Sequence, residues 1–294
     1  MQKLAEILVS GVVVGSIYGL IGLGIVLVYK GSRVLNFAQP EVGTFALFIT
    51  WQMVEWGQPW IVGAAAGVLV AALLSLAFER LVVARMTDAP RLTVAVATVG
   101  LTLLLLGLEI KIWPGALKVL AAPISGEARD VFGVNVSPTQ LVALGMVALL
   151  GLGLGEFLRC TDFGLGVVAA AQDPLAVRLV GVRLSRVSMF TWTSAGVLAA
   201  IAALLIQPTI STFAPGFMVT AVFVPALAAA LLGGMRSLPG TFVGGLVIGV
   251  LDQGMQRAFI QTSAVPGAEI IAIYVVILAI LLLRPQGLLV RRSA

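Results

Sequence analysis

Nine apolar runs follow one another along the 294 residues, and they constrain the fold more than any other feature. They lie at about 5–29, 41–56, 60–79, 92–112, 138–158, 188–207, 218–235, 239–256 and 268–283. A helix needs about 20 mostly apolar residues to cross a bilayer. Hydrophobic residues make up 60% of the chain and charged residues only 11%, whereas about a quarter of a soluble domain is charged. We therefore predict an all-α, polytopic transmembrane helical bundle of eight or nine spans.

The number of spans, eight or nine, depends on whether the run 41–56 crosses the membrane. It is short for a full crossing, and Gln39-Pro40-Glu41 opens it. If it crosses, the N-terminus lies outside; if it is re-entrant, the N-terminus lies inside. Both models place 80–91, 159–187 and the C-terminus in the cytoplasm, so that most of the 18 basic residues fall inside, as the positive-inside rule requires.

The connections between the runs indicate a single membrane domain over 1–294. The segment 113–137 is rich in proline and glycine and is predicted to lie outside the cytoplasm, whereas 159–187 forms a long cytoplasmic loop. No Gly/Ser linker or low-complexity tract separates a second domain. The first run is too long for the apolar part of a secretory signal and is interpreted as the first span.

The rare residue types exclude several classes of function. Histidine is absent, which excludes Ser–His and Cys–His nucleophilic sites and histidine metal sites, and Cys160 is the single cysteine. No G-x-x-x-x-G-K-[ST] phosphate loop occurs, so any nucleotide that drives this protein binds to another chain. The net charge of +5 fits membrane orientation better than nucleic-acid binding. We predict no catalytic residue, no metal, no cofactor and no nucleic-acid partner.

Glycines recur four residues apart in the first and eighth runs. This spacing lets helix backbones approach closely in lipid, so helix packing is the favoured interpretation, with a moving or substrate-facing helix as the alternative. The predicted helix-packing glycines are Gly11, Gly15, Gly19, Gly244, Gly245 and Gly249.

Polar residues interrupt the chain before the second run. Pro40 suits a first helical turn, and Glu41 beside it suits the positive end of the helix dipole. Asn36 and Gln39 then either cap the helix start or line a transport path, because irregular backbone at membrane depth survives only against protein or water. Asp252, inside the eighth run, is a further candidate for the path. The acids Glu79, Glu109 and Glu156 fall at predicted span ends, where we expect them to be solvated at the interface.

A short amphipathic helix is predicted in the cytoplasmic loop. Asp173 followed by Pro174 is typical of a helix start, and Gly181 can end the helix. Leu175, Ala176, Leu179 and Val180 share an apolar face, with Arg178 on the other side. Such a helix either rests on lipid or docks into a groove of a partner, and docking is favoured.

Several motifs resemble one known family. The first run and its exit contain Gly15-Ser16-x-Tyr18-x-Leu20-x-x-Leu23-Gly24, Val28-Tyr29 and Asn36-Phe37-Ala38 with Glu41. Two later motifs are Leu231-Leu232-Gly233-Gly234-Met235-Arg236-Ser237-Leu238-Pro239-Gly240-Thr241-x-x-Gly244-Gly245-x-x-x-Gly249 and Leu282-Leu283-Arg284-Pro285-Gln286-Gly287-Leu288. Their order along nearly the whole chain resembles that of the LivH-type permeases, membrane subunits of branched-chain amino acid ABC importers.

The resemblance implies a set of partners and a role for the amphipathic helix. Such permeases work with a second, related permease (a heterodimer), two cytoplasmic ATPases and an external solute-binding protein. The segment 169–181 corresponds to the coupling helix that contacts the ATPase. The residues so implied are Ala169, Ala170, Asp173, Pro174, Leu175, Arg178, Leu179 and Gly181. The chain departs from the family at Gln39-Pro40, where relatives often have His-Gly or Gln-Gly; proline removes a backbone N–H there.

Taken together, the sequence predicts a transport subunit and not an enzyme. It would be a multi-pass protein of the bacterial plasma (inner) membrane with a cytoplasmic C-terminus, importing branched-chain or other amino acids, amides or urea-like solutes. ATP hydrolysis in partner subunits would drive alternating access. The alternative is a self-contained secondary transporter coupled to an ion gradient, for which Asp252 and Glu41 are the plausible ion-binding acids. An intramembrane enzyme is the least favoured class.

Overall fold

Helices make up almost all of the described chain. The computed structural model describes residues 2–86, 89–115, 117–122, 124, 129–131, 134–235 and 237–262, with 271, 274–275, 278–279 and 282. The helices are α1 (Gln2–Ser32), α2 (Gln39–Glu55), α3 (Trp60–Leu81), α4 (Arg91–Ile112), α5 (Pro138–Cys160), α6 (Asp162–Gln172), α7 (Pro174–Leu179), α8 (Leu184–Ile210), α9 (Val224–Leu232) and α10 (Leu238–Thr262). A 3₁₀ turn covers Val83–Arg85, and a π-helical segment, Val219–Phe223, precedes α9.

Strands form one hairpin in this part of the chain. The strands β1 (Arg129–Val131) and β2 (Val134–Val136) pair antiparallel, with Arg129 opposite Val136. The predicted helical class is otherwise confirmed. The ninth apolar run, 268–283, lies mostly outside the described residues, as do Arg236 and most of the C-terminal motif that begins at Leu282.

Six of the described helices are long and apolar enough to cross a bilayer. They are Leu4–Ser32, Trp60–Arg85, Arg91–Ile112, Pro138–Cys160, Leu184–Ile210 and Leu238–Ala258. The segment Val219–Leu232 is apolar but shorter, and α2 has 17 residues. The prediction of a multi-pass membrane protein is therefore confirmed, whereas the count of eight or nine spans stays a prediction.

Proline positions explain where several helices begin. Pro59 and Pro90 directly precede α3 and α4, with backbone angles outside the helical region. Pro40 lies in the first turn of α2, and Pro138 and Pro174 are the first residues of α5 and α7. Proline is tolerated at these places because the first turn of a helix has no partner for its N–H groups.

The chain divides into two compact units. Unit 1 comprises Met1–Leu23, Ile124–Gly151 and Val224–Ala294; unit 2 comprises Gly24–Pro123 and Leu152–Phe223. In unit 1 the glycines of α1 face α10: a β-carbon on Gly15 would lie 2.6 Å from the Gly245 carbonyl oxygen, and one on Gly11 would lie 2.6 Å from the Val250 Cα. A larger side chain at either glycine would therefore force these two helices apart.

The helices α2, α3 and α8 pack together at the centre of unit 2. A β-carbon on Gly43 would lie 2.7 Å from the Ala199 carbonyl oxygen, and one on Gly63 would lie 2.9 Å from the Thr50 carbonyl oxygen. The side chain of Leu105, on α4, packs in one apolar cluster with side chains of α2, α3 and α8. Small residues at these contacts let α2 lie in the middle of the unit, where most of its first twelve residues are buried.

One order of elements occurs twice along the chain. A long helix ends in a non-glycine residue with positive φ, Arg33 (58°) after α1 and Ser211 (68°) after α8. An irregular segment follows, then a short helix (α2 or α9), then a tight turn with a positive-φ glycine, Gly57 or Gly234, and another long helix (α3 or α10). We call the irregular segments the first break (33–38) and the second break (211–218).

Candidate functional site: two helix breaks held by buried polar groups

The first break brings the start of α2 to a point well inside the lengths of α1 and α4. The amide of Gln39 lies against Gly24, eight residues before the last residue of α1, and the backbone N–H of Phe37 donates to Thr98 Oγ1 at 3.1 Å. Thr98 follows the first residue of α4 by seven residues. At 1.5 Å per residue, α2 therefore begins about 10–12 Å from those helix ends.

The polar residues predicted at this break are buried. Asn36 is 5% exposed, and Gln39 and Glu41 are fully buried. Asn36 Oδ1 accepts a hydrogen bond from the backbone N–H of Ala38 at 3.0 Å, a local turn that replaces a missing backbone partner. Irregular backbone at membrane depth needs such replacements. Asn36 thus shapes the chain reversal, and its role at a transport path stays a prediction.

Glu41 pairs with Glu109, a carboxyl group from the last turn of α4. The two side chains hydrogen-bond each other, and both are fully buried. An ionised carboxylate only accepts hydrogen bonds, so this contact requires one proton shared by the pair. The sequence expectation that Glu109 is solvated at the interface is therefore wrong. It is also wrong for Glu79, which is 1% exposed, whereas Glu156 is exposed as expected.

The same group of side chains holds the backbone of the second break. The N–H of Gly216 donates to Glu109 Oε2 at 3.3 Å, and the N–H of Met218 donates to Thr44 Oγ1 at 3.1 Å. The Thr44 hydroxyl in turn donates to Glu41 Oε2 at 3.3 Å. The second break therefore attaches to α2 through Thr44 and to α4 through Glu109, and we call Glu41, Thr44 and Glu109 the polar anchor.

Aromatic rings fix the beginning of the second break. The ring of Phe48 stacks on Trp113 with centroids 5.0 Å apart, and Phe213 meets Phe48 edge-on at 4.9 Å. The backbone of Phe213 also pairs with that of Lys118 through hydrogen bonds of 2.8 and 2.9 Å. Trp113 Nε1 donates to Gln52 Oε1 at 2.9 Å. The chain after α8 is thereby tied to both α2 and the segment that follows α4.

The fourth predicted path residue, Asp252, belongs to unit 1, whereas the other three belong to unit 2. Asp252 is 3% exposed. It accepts hydrogen bonds from the Tyr18 hydroxyl at 2.8 Å and from Gln256 Nε2 at 3.1 Å. The neighbouring Arg257 pairs with Glu6 at 2.6 Å. Nothing in the sequence pointed to Tyr18 as its partner, because 234 positions separate them.

Comparison with known proteins decides the family. The family model described as "Branched-chain amino acid transport system / permease component" matches residues 7–284. The chain belongs to this family. The permease is 26% identical to the LivH permease protein of Salmonella typhimurium over 96% of its own length and 94% of the relative's. It is 28% identical to the BraD permease protein of Pseudomonas aeruginosa, over 97% and 95% of the two chains.

The permease resembles a third relative along nearly its whole length. It is 26% identical to a probable LivH permease of Methanocaldococcus jannaschii, over 96% of this chain and 91% of that one. Among solved structures, PsaBC from Streptococcus pneumoniae in complex with Fab matches with a TM-score of 0.47 and 13% identity, covering 94% of the permease and 89% of that chain.

The predicted amphipathic helix of the permease is present as α7. Asp173 caps its start, since the Asp173 Oδ1 accepts from the Ala176 N–H at 3.1 Å, and Gly181 follows the helix with a φ of 88°. Leu179 and Val180 are 88% and 78% exposed, whereas Val177 is buried. Before α7, Ala169 and Ala170 belong to α6 and Ala170 is buried. The side chains of Pro174 and Leu175 lie outside the described ones.

The described part of the permease offers no metal site. Among those residues, no group of three or more His, Cys, Asp or Glu side chains is placed to hold an ion.

Proposed function

We propose that this permease imports branched-chain or related small amino acids as one membrane subunit of an ABC importer. The observation that carries this proposal is the family match over 7–284, together with coverage of 94% or more of two relatives whose names give branched-chain amino acid transport. The proposed partners are a second, related permease, two cytoplasmic ATPases that hydrolyse ATP, and an external solute-binding protein. Amides and urea-like solutes are the alternative cargo.

The depth of the first break favours nine spans with the N-terminus outside and the C-terminus in the cytoplasm. The 17 residues of α2 extend about 26 Å, slightly less than the roughly 30 Å hydrocarbon core. Because α2 starts about 10–12 Å above the ends of its neighbours, the break and the helix together supply a complete crossing. The 113–137 segment is then external, and the 159–187 loop is cytoplasmic.

The two breaks are the proposed border of the translocation path. Helix ends at membrane depth leave backbone N–H and C=O groups that only protein, water or cargo can satisfy. Asn36, Gln39 and Glu41 lie at one such end, and discontinuous helices often supply cargo sites in transporters. Asp252 remains the weaker candidate, because its carboxylate already accepts hydrogen bonds from Tyr18 and Gln256.

Helix α7 is the proposed coupling helix. Leu179 and Val180 lie at the C-terminal end of this capped helix and are 88% and 78% exposed. Such apolar side chains are suited to insertion into a groove of another protein. Exposed apolar side chains of this kind favour docking over a solvated loop. In the proposed mechanism, ATP binding moves the ATPases, α7 follows, and the helices that continue from it alternate access to the path.

Co-purification tests this assignment. Leu179→Asp is expected to abolish capture of the ATPases on the tagged permease and to abolish leucine uptake. Leu81→Asp is the matched control, because it places the same charge on another exposed leucine, at the predicted cytoplasmic end of α3. If Leu179→Asp retains both ATPase binding and transport, α7 is not the coupling helix.

One observation favours a second candidate, a proton-coupled secondary transporter. The Glu41–Glu109 pair buries a proton-sharing contact inside the bundle, and acids at such positions serve as proton relays in carriers. The purified permease in liposomes with an imposed pH gradient and no ATPase decides between the two. We expect no uptake under these conditions, and uptake would establish the secondary transporter.

A further inference from the structure

A pocket of about 530 Å³ lies within unit 2 at the predicted cytoplasmic ends of its helices. Its walls come from the end of α1, the end of α3, the start of α4, α6, α7 and the start of α8. This volume falls within the range of about 300–1,000 Å³ that small-molecule sites occupy. The pocket is separate from the polar anchor, none of whose residues lines it.

One buried carboxyl group, that of Glu79, lines this pocket. Glu79 is 1% exposed and receives a hydrogen bond from the Ser188 hydroxyl. Its Oε2 is buried and has no hydrogen-bond partner among the described residues. A buried carboxylate oxygen without a donor is costly, so an incoming N–H donor, above all an ammonium group, would be bound there.

Basic groups line the rest of the pocket. They are Lys30, Arg33, Arg91 and Arg178. Arg33 already donates to the Ala171 carbonyl oxygen, whereas the Lys30 ammonium has no ion-pair partner within the described part of the chain. Arg178 belongs to α7, so the proposed coupling helix contributes directly to the wall. Four cations beside one acid favour a ligand that also carries an anionic group.

The remaining wall is apolar. Val34, Val83 and Val94 line the pocket and are at most 8% exposed, and Met86 lies beside them. The three valines belong to one packed cluster. This wall would bury an aliphatic side chain, at a gain of roughly 25 cal/mol for each Å² of apolar surface removed from water.

We infer that this pocket binds a zwitterionic α-amino acid with an aliphatic side chain, reached from the cytoplasmic side. Glu79 receives the ammonium group, Lys30 with Arg33 receives the carboxylate, and the valine wall receives the side chain. A phosphate would lie against the Glu79 carboxylate, and a simple amine would lie among four cations, so neither fits all three walls. The choice of amino acid as ligand rests on the proposed function.

Equilibrium binding of labelled leucine to the permease–ATPase complex, without solute-binding protein, tests the site. Unlabelled 4-methylpentanoate lacks the ammonium group and 3-methylbutylamine lacks the carboxylate, so each should compete at least about tenfold more weakly than leucine. Glu79→Gln should weaken leucine binding about tenfold or more. Glu156→Gln, at an exposed acid outside the pocket, should leave binding unchanged.

A second variant tests the pocket independently, in case Glu79→Gln misfolds. Ala84 is exposed and lines the pocket, so Ala84→Phe fills the cavity without disturbing a buried contact. It should abolish leucine binding while the ATPases still co-purify. Unchanged leucine binding in either pocket variant, or displacement of leucine by inorganic phosphate, would overturn the inference.

The outcome also separates the pocket from the proposed function. If the whole transporter takes up leucine into vesicles while the complex binds none at this pocket, the pocket assignment fails and the importer remains. If the transporter takes up no amino acid, the proposed function fails with it.

Discussion

Removing the Glu109 carboxyl group should destabilise the permease strongly, whereas replacing it by an amide should not. Glu109→Ala leaves the buried Gly216 N–H without its acceptor and leaves the Glu41 carboxyl without its partner. Each unsatisfied buried group costs about 1–3 kcal/mol, so the expected loss is about 2–6 kcal/mol. Proteins are stable by about 5–15 kcal/mol, so a loss of this size removes much of the total.

Glu109→Gln supplies the discriminating comparison. A glutamine amide can accept from the Gly216 N–H and donate to Glu41, so both contacts survive and the loss should stay below about 1 kcal/mol. Unfolding in detergent micelles, followed by helical circular dichroism, measures both variants. Glu156→Ala, at an exposed acid, should shift stability by no more than about 0.5 kcal/mol. Equal losses for the alanine and glutamine variants, or no loss for alanine, would refute the role of Glu109.

Two further predictions concern unit 1. Gly245→Val should destabilise by about 1–3 kcal/mol or more, because its β-carbon would lie 2.5 Å from the Gly19 Cα; Gly107→Val, where nothing lies within 4 Å of the added carbon, is the control. Similar unfolding midpoints for the two valine variants would contradict the close helix contact. Tyr18→Phe should cost about 1–3 kcal/mol, because buried Asp252 loses the tyrosine hydroxyl, and a neutral result in the same unfolding assay would show that this bond is replaced.

Apolar runs, capping residues and glycine spacing, which depend on neighbouring residues only, predicted the helices and their starts. The first eight apolar runs correspond to described helices, and the Asp173-Pro174 pair indicated α7, because capping depends on only a few neighbouring residues. The glycine spacing in α1 likewise pointed to the face that approaches α10.

Tertiary contacts determine three features that the sequence alone does not predict. An acid at the end of an apolar run is equally compatible with solvation and burial, so Glu109 was assigned to the interface although it pairs with Glu41, 68 positions earlier. The length of the run 41–56 could not show that α2 begins at depth, because that depends on its contacts with Gly24 and Thr98. The pocket around Glu79 was likewise not predicted, since its walls come from six separate elements.

The attachment of the second break to α2 and α4 has a consequence for cooperativity. Thr44 and Glu41 lie one helical turn apart, and between them they contact Met218 of the second break and the carboxyl group that holds Gly216. A shift of α2 by even one residue's rise, about 1.5 Å, would break the Met218–Thr44 hydrogen bond and separate Glu41 from Glu109 at the same time. We therefore expect α2 and the second break to rearrange in one concerted step.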